Sequence, residues 1–216
     1  MKLDYTILSF DDVIFKKRDA EKLRGYFAAN YPNFILFHNH DDGGFIYNYP
    51  RVQYKVIDSV PIICGIEEGA GLISKVSLLT DELDIEGKNI KVIEKGLKIG
   101  KSDFGVEDDY IQYEFLTPWI ALNQNNLVKY KNETEMGKEE LLQKILIGNL
   151  ISMSKGLNYT VEKQIKAWIN LKPVHVKLKN IDMIAFIGRF KVNFKIPDYL
   201  GIGKSVSKGF GTVKKI

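Results

Sequence analysis

Apolar residues recur at helical spacing from about Arg18 to Tyr31, where Ala20, Leu23 and Phe27 share one stripe and Pro32 ends the segment. Lys2 to Phe10 before it reads as a strand. After a polar loop, Phe37 to Gly44, and an aromatic stretch, Phe45 to Tyr49, the pattern changes period. Val52, Tyr54 and Val56 alternate with Arg51, Gln53 and Lys55, which predicts a strand over 51–57 with one apolar face and one polar, partly cationic face. A strand over Val60 to Cys64, a helix from Glu67 to Leu79 and a β pair between Asp84 and Ile99 complete the first half.

The acidic, glycine-containing stretch Ser102 to Asp109 reads as a junction. A strand around Tyr110 to Leu116 follows, then a polar, asparagine-rich loop, then a helix from about Met136 to Ser154 with Leu142, Ile145, Leu146, Leu150 and Met153 as its buried stripe. Gly156 is expected to end it. Val161, Ile165, Trp168 and Ile169 lie at helical spacing behind a possible N-cap, Thr160, which predicts a shorter helix with Trp168 in the core. From Arg189 to Ile196, Phe190, Val192, Phe194 and Ile196 alternate with Arg189, Lys191, Asn193 and Lys195, a strand that packs inward and offers positive charge outward. Each half runs strand, helix, two strands, helix, strand. The expected fold class is therefore α+β, two tandem ferredoxin-like (RRM-like, βαββαβ) domains over 1–104 and 105–216, although other α+β sandwiches fit the same order.

With 216 residues, 45% of them hydrophobic, the chain can bury two cores. No apolar run approaches the ~20 residues that span a bilayer, and Met1-Lys2-Leu3-Asp4 begins no signal-peptide pattern, so the expected location is the cytoplasm, with no membrane partner. The lone Cys64, in an apolar stretch, excludes an internal disulfide and a cysteine-rich metal site, and reads as core. Net charge is only +4, but it is unevenly placed. Residues 172–216 hold ten of the 31 basic residues and two of the 27 acids. Such asymmetry is the footprint of a polyanion binder, or merely of a solubilising basic end.

The most specific local feature is Gly201-Ile202-Gly203-Lys204-Ser205-Val206-Ser207-Lys208-Gly209-Phe210-Gly211, two Gly-x-Gly pairs around a turn carrying lysines and serines. Glycines permit positive φ and close approach of a ligand to the main chain, while amides and lysines suit phosphate oxygens. A nucleotide-triphosphate loop is excluded by spacing, since Asp198 stands where its first glycine belongs. A dinucleotide fingerprint fails because Val206 occupies its third glycine position. A glycine-rich hairpin without a ligand is the plain alternative.

This loop resembles the signature of the RAMP superfamily. Leu23-Arg24-Gly25-Tyr26-Phe27, Phe37-His38-Asn39-His40, the run Tyr47 to Val56 and Gly65-Ile66-Glu67-Glu68-Gly69 are together similar to the CRISPR repeat-RNA processing endoribonucleases of subtype I-B, over nearly the whole chain. The resemblance implies metal-independent cutting of CRISPR precursor transcripts within the repeats, leaving a 2′,3′-cyclic phosphate and a 5′-hydroxyl, with no cofactor. His40 is the expected general base or acid, Tyr47 an orienting donor or partner acid, and His38 either an alternative catalytic group or an RNA contact. Histidine suits both proton transfers because its pKa lies near neutrality. Many relatives add a lysine, yet none occurs between Lys22 and Lys55, so Arg51, Lys55 or a lysine folded in from the other half is expected to stabilise the transition state. The expected RNA-binding residues are Arg51, Lys55, Arg189, Lys191, Gly201, Gly203, Lys204, Ser205, Lys208, Gly209 and Gly211. Repeat RNA, as precursor and product, is the expected partner, with other effector-complex subunits and a second copy of the chain as further candidates. The second reading is a non-catalytic RAMP subunit that only holds guide RNA. A third, metal-dependent hydrolysis at His38, His40, Asp41 and Asp42, lacks a further histidine or cysteine close in sequence; His175 reads as structural or RNA-contacting.

Overall fold

The first half folds into one compact unit, Lys2–Ser102 joined by Val206–Gly209; a second unit comprises Met1, Asp103–Ser205 and Phe210–Ile216. The computed structural model describes residues 1–16, 19–37, 40–41, 44–45, 49–178 and 181–216.

In the first unit, in chain order, lie β1 (Lys2–Phe10), α1 (Ala20–Asn30), the short β2 (His40–Asp41) and β3 (Gly44–Phe45), β4 (Val52–Ile57), β5 (Val60–Ile66), α2 (Glu68–Ser77), the hairpin β6 (Glu82–Ile85) and β7 (Lys88–Lys91), and β8 (Lys95–Asp103). The sheet order is β4-β5-β1-β8, so the first strand sits between the central hairpin and the last strand, as a ferredoxin-like unit requires. β4 and β5 turn at Asp58 and Ser59, both with positive φ, which matches the twist of a two-residue hairpin. One sheet face packs on the helices: Leu8, Phe10, Val52, Tyr54 and Ile63 meet Leu23 and Phe27 of α1 and Ile73 and Val76 of α2. The stripe read from the sequence is the one that is buried.

The opposite face of β4 differs from expectation. Gln53 and Lys55 are fully buried rather than presented outward, and the turn Val206–Lys208 packs on β4. The Lys55 Nζ donates to Gln53 Oε1 at 2.9 Å, and Gln53 Nε2 donates to the Pro50 carbonyl at 3.2 Å. A side chain without solvent exposure cannot meet RNA, so the assignment of Lys55 as an RNA contact is corrected. Burial, offset slightly by the neighbouring Cys64, lowers its pKa from 10.5 to about 8.

The second unit holds β9 (Gly105–Trp119), α3 (Gln124–Asn132), α4 (Glu135–Gly156), β10 (Ala167–Leu178), β11 (Ile181–Lys195) and β12 (Val213–Lys215), in the sheet order β10-β11-β9-β12. The order repeats that of the first sheet, and the molecule is α+β with two sheet-containing units. Between β11 and β12, however, a loop with the single 3-10 turn Val206–Lys208 replaces the second helix. The buried stripe of α4 is Leu142, Leu146, Leu150 and Met153, and Thr134 caps it by accepting from the Gly137 amide at 3.2 Å. The asparagine-rich stretch expected to be a loop is instead α3, capped by Asn123, whose side chain accepts from the Asn126 amide at 2.7 Å.

The shorter helix expected around Val161 to Ile169 is not formed. Ala167–Leu178 is a strand paired with β11 along its whole length, from Ala167 opposite Val192 to Leu178 opposite Ile181. Ala167, Ile169 and Leu171 fall at period two, and β11 gives this strand a hydrogen-bonding partner from end to end. Trp168 therefore lies 48% exposed and not in the core. No helix among the described residues is long and apolar enough to cross a membrane.

Lys55 sets a stability test. Its folded-state pKa of about 8 lies below the 10.5 of an exposed lysine, so the unfolded chain holds the extra proton between those values and the fold gains stability as pH rises from about 8 to about 10.5. Below pH 8 the full cost, roughly 3 kcal/mol, opposes folding. Urea unfolding of Lys55→Met is expected to show a stability advantage over the native chain at pH 7 that shrinks toward pH 10; an advantage independent of pH would contradict it.

Candidate functional site

The histidine loop is rooted in the core of the first unit. Phe37, fully buried at the end of a short 3-10 turn, lies 5.5 Å from both the Phe27 and Tyr31 rings, and its carbonyl accepts from the Tyr54 hydroxyl at 3.4 Å. Burial holds the Tyr54 phenol well above its ordinary pKa, so it stays a neutral donor beneath the sheet rather than a surface for bases. From this anchor the chain enters β2, whose His40 stands opposite Phe45 and whose Asp41 stands opposite Gly44 in β3. The antiparallel pairing fixes the backbone of His40. His38, Asp42 and Tyr47 lie outside the described residues.

At the far root of the loop, the Arg51 carbonyl accepts from the Ile66 amide at 2.9 Å, and its Nε donates to Glu68 at 3.2 Å. Its side chain is 12% exposed, and Nη1 is buried without a hydrogen-bond partner among the described residues. With Lys55 sequestered, Arg51 is the remaining cation of the pair read from the sequence. The Gly65 to Gly69 part of the motif has a packing cause: a side chain at Gly69 would collide with the Arg51 carbonyl, and one at Gly65 with the Gly69 carbonyl.

The glycine loop runs from Gly201, bridged to Thr212, to Gly211, whose amide donates to the Pro118 carbonyl at 2.9 Å. Gly203 has φ +90°, and a side chain there would strike the Trp119 indole and the Asn149 amide. Gly209, at φ +91°, lies against the Tyr54 carbonyl and the Ala20 methyl within the first unit. Both glycines thus meet conformational and packing demands of the chain itself. The lysines differ. Lys204 is exposed, donates to the Leu122 carbonyl at 3.1 Å, and has its pKa lowered by partial burial. Lys208 is 17% exposed and paired with Glu21 of α1 at 2.9 Å, which fastens the turn and neutralises its charge.

Arg189 and Lys191 project from the exposed face of β11, while Phe190 and Val192 between them are buried. Lys195 is instead tied to Glu107 at 2.9 Å and Asp103 at 3.8 Å. His175 is exposed on β10. The sequence reading missed Tyr110 and Trp168, whose rings meet at 4.6 Å on the same face. The period-two alternation of Trp168, Asn170 and Lys172 with Ile169 and Leu171 was the signal for them.

Residues 1–103 match the family model of the Cas6b N-terminal domain, and residues 105–216 that of the Cas6b C-terminal domain. A crystal structure of Cas6b superposes on the chain with a TM-score of 0.96 at 44% identity, covering both chains in full. A crystal structure of the CRISPR RNA processing endoribonuclease Cas6b does so with a TM-score of 0.82 at 41% identity, again over both chains in full. An uncharacterized protein of Methanocaldococcus jannaschii is 48% identical over 136 residues, 62% of this chain and 92% of its own length. Over both of its units, the chain belongs to the Cas6b family.

Proposed function

We propose that this chain is an endoribonuclease that cuts CRISPR precursor transcripts within their repeats and so generates guide RNAs. The observation that carries the reading is the full-length likeness, at 41% identity, to a Cas6b that is a CRISPR RNA processing endoribonuclease. The rooting of a histidine-bearing loop in the first unit supports it, because a general acid or base must be held in place to act.

The reaction needs no metal. A base removes the 2′-hydroxyl proton, the 2′-oxygen forms a bond to phosphorus, and the bond from phosphorus to the 5′-oxygen breaks as that oxygen takes a proton, giving a 2′,3′-cyclic phosphate and a 5′-hydroxyl. His40 performs one of the two proton transfers and Tyr47 the other or its orientation, with His38 as the alternative catalytic group or an RNA contact. Arg51 supplies positive charge for the phosphorane; Lys55, without solvent exposure, does not. Residues 1–104 carry this catalytic loop, and residues 105–216 grip the RNA through Arg189, Lys191 and Lys204. The glycine loop shapes that grip, with Lys208 as its fastening rather than a phosphate ligand.

His40→Ala is expected to slow single-turnover cleavage of cognate repeat RNA by ~10²–10⁴-fold while leaving its affinity for that RNA unchanged, with wild-type cleavage insensitive to EDTA. End-group analysis of the product reads the chemistry, and cutting at the native rate by the variant would remove His40 from the mechanism. Lys204→Ala is expected to weaken repeat-RNA binding and to flatten the slope of log K against log salt by about 0.7, the loss of one phosphate contact on a single strand. An unaltered slope in a salt titration would exclude such a contact.

A further inference from the structure

The helix-free face of the second sheet carries a cluster that no catalytic role uses. Trp168 of β10 stands opposite Lys191 of β11, which stands opposite Gln112 of β9. Tyr110 reaches across β11 to place its ring 4.6 Å from that of Trp168 at 75°, and the Lys191 ammonium lies 5.7 Å from the Tyr110 ring centre. In the next row, Asn170, Arg189, Glu114 and Lys214 stand side by side across four strands. Trp168 is 48% exposed and Tyr110 39%, whereas Trp119, on the helix-packed side, is fully buried. Two large aromatics in mutual contact, half in water and not covered by the protein's own core, leave a π face open to a flat partner.

Charge selects that partner. Two of the three acids at the near end of β9 are already engaged, Asp108 by Lys163 at 2.6 Å and Glu107 by Lys195 at 2.9 Å. Lys172, Arg189 and Lys191 form no ion pair among the described residues. Glu114 is the one acid in the Arg189 row, and it is flanked there by two cations. An open aromatic pair bordered by unpaired cations and by the amides Asn170 and Gln112 offers stacking, phosphate neutralisation and base-edge hydrogen bonds on one surface. Those are the three contacts that an unpaired nucleotide strand makes on a four-stranded sheet.

We infer that this face is a binding site for single-stranded RNA, on which the Tyr110–Trp168 pair stacks an unpaired base of the repeat against the face of one ring and the edge of the other while Lys191 and Arg189 hold the adjoining phosphates. The site rests on the nuclease reading for its ligand and adds to it a place where the strand outside the cut is held.

The test uses the full chain and a fluorescein-labelled, single-stranded repeat RNA with 2′-O-methyl riboses, which cannot cyclise. Trp168→Ala and, separately, Tyr110→Ala are expected to weaken binding about 5- to 100-fold with the salt slope unchanged, whereas Lys191→Ala lowers the slope by about 0.7. Trp168→Phe is expected to recover most of the affinity. Because Trp119 is buried, quenching of the exposed Trp168 fluorescence by the RNA reports stacking directly. Native affinity in both alanine variants, with unaltered thermal unfolding, would overturn the site. So would a Trp168→Ala effect that only shifts a monomer–dimer equilibrium without RNA, since the face would then belong to a second copy. Wild-type protein that binds repeat RNA but never cuts it would sink the nuclease reading and leave these binding results standing. Failure to bind repeat RNA at all would sink both.

Discussion

The first unit is organised around Phe27. Its ring lies within 5.2 to 6.4 Å of Phe10, Tyr26, Tyr31, Phe37 and Tyr54, so one side chain of α1 touches β1, β4 and the turn that opens the histidine loop. Aromatic contacts of this kind are favourable in several geometries and bury large areas. Their value here is positional. The backbone leading to His40 departs from a fully buried residue, Phe37, while the segment beyond the loop is tied through the Arg51 carbonyl to the end of β5. A polar loop hung between two buried roots can hold a proton-transferring group to the tolerance that catalysis demands.

The basic residues of the chain fall into three physical classes. Lys55 is desolvated and bonded to a glutamine, a structural cost borne within the fold. Lys163, Lys195 and Lys208 are paired with carboxylates and contribute little net field. Arg189, Lys191 and Lys172 stand exposed on one sheet face beside two open aromatic rings. The same excess of positive charge therefore does three different things, and the third class is the one most open to a polyanion.

Much of this architecture was legible in the residues. The stripe Ala20, Leu23 and Phe27, the alternation Val52, Tyr54 and Val56, and the stripe Leu142 to Met153 each select one buried face, and each is the face that the structure buries. Around Trp168 and Ile169, where helical spacing from Val161 onward predicts a helix, the reading failed, because pairing with β11 supplied a partner that local spacing does not reveal. The asparagine-rich stretch failed for a related reason. Asn123 works as a helix cap, and the helix it begins has no buried residue to announce it.

Along the chain, residue order determined the two α+β halves, the family motifs and the concentration of positive charge toward the C-terminal end, because periodicity, motif spacing and formal charge are local properties. Tertiary structure alone decided which cations face water. It buried Lys55 against the Val206–Lys208 turn, bound Lys208 to Glu21, and brought Tyr110 and Trp168 together from strands 58 residues apart. Solvation and pairing depend on neighbours that the sequence sets far away, and the worth of a charge or a ring is fixed by those neighbours.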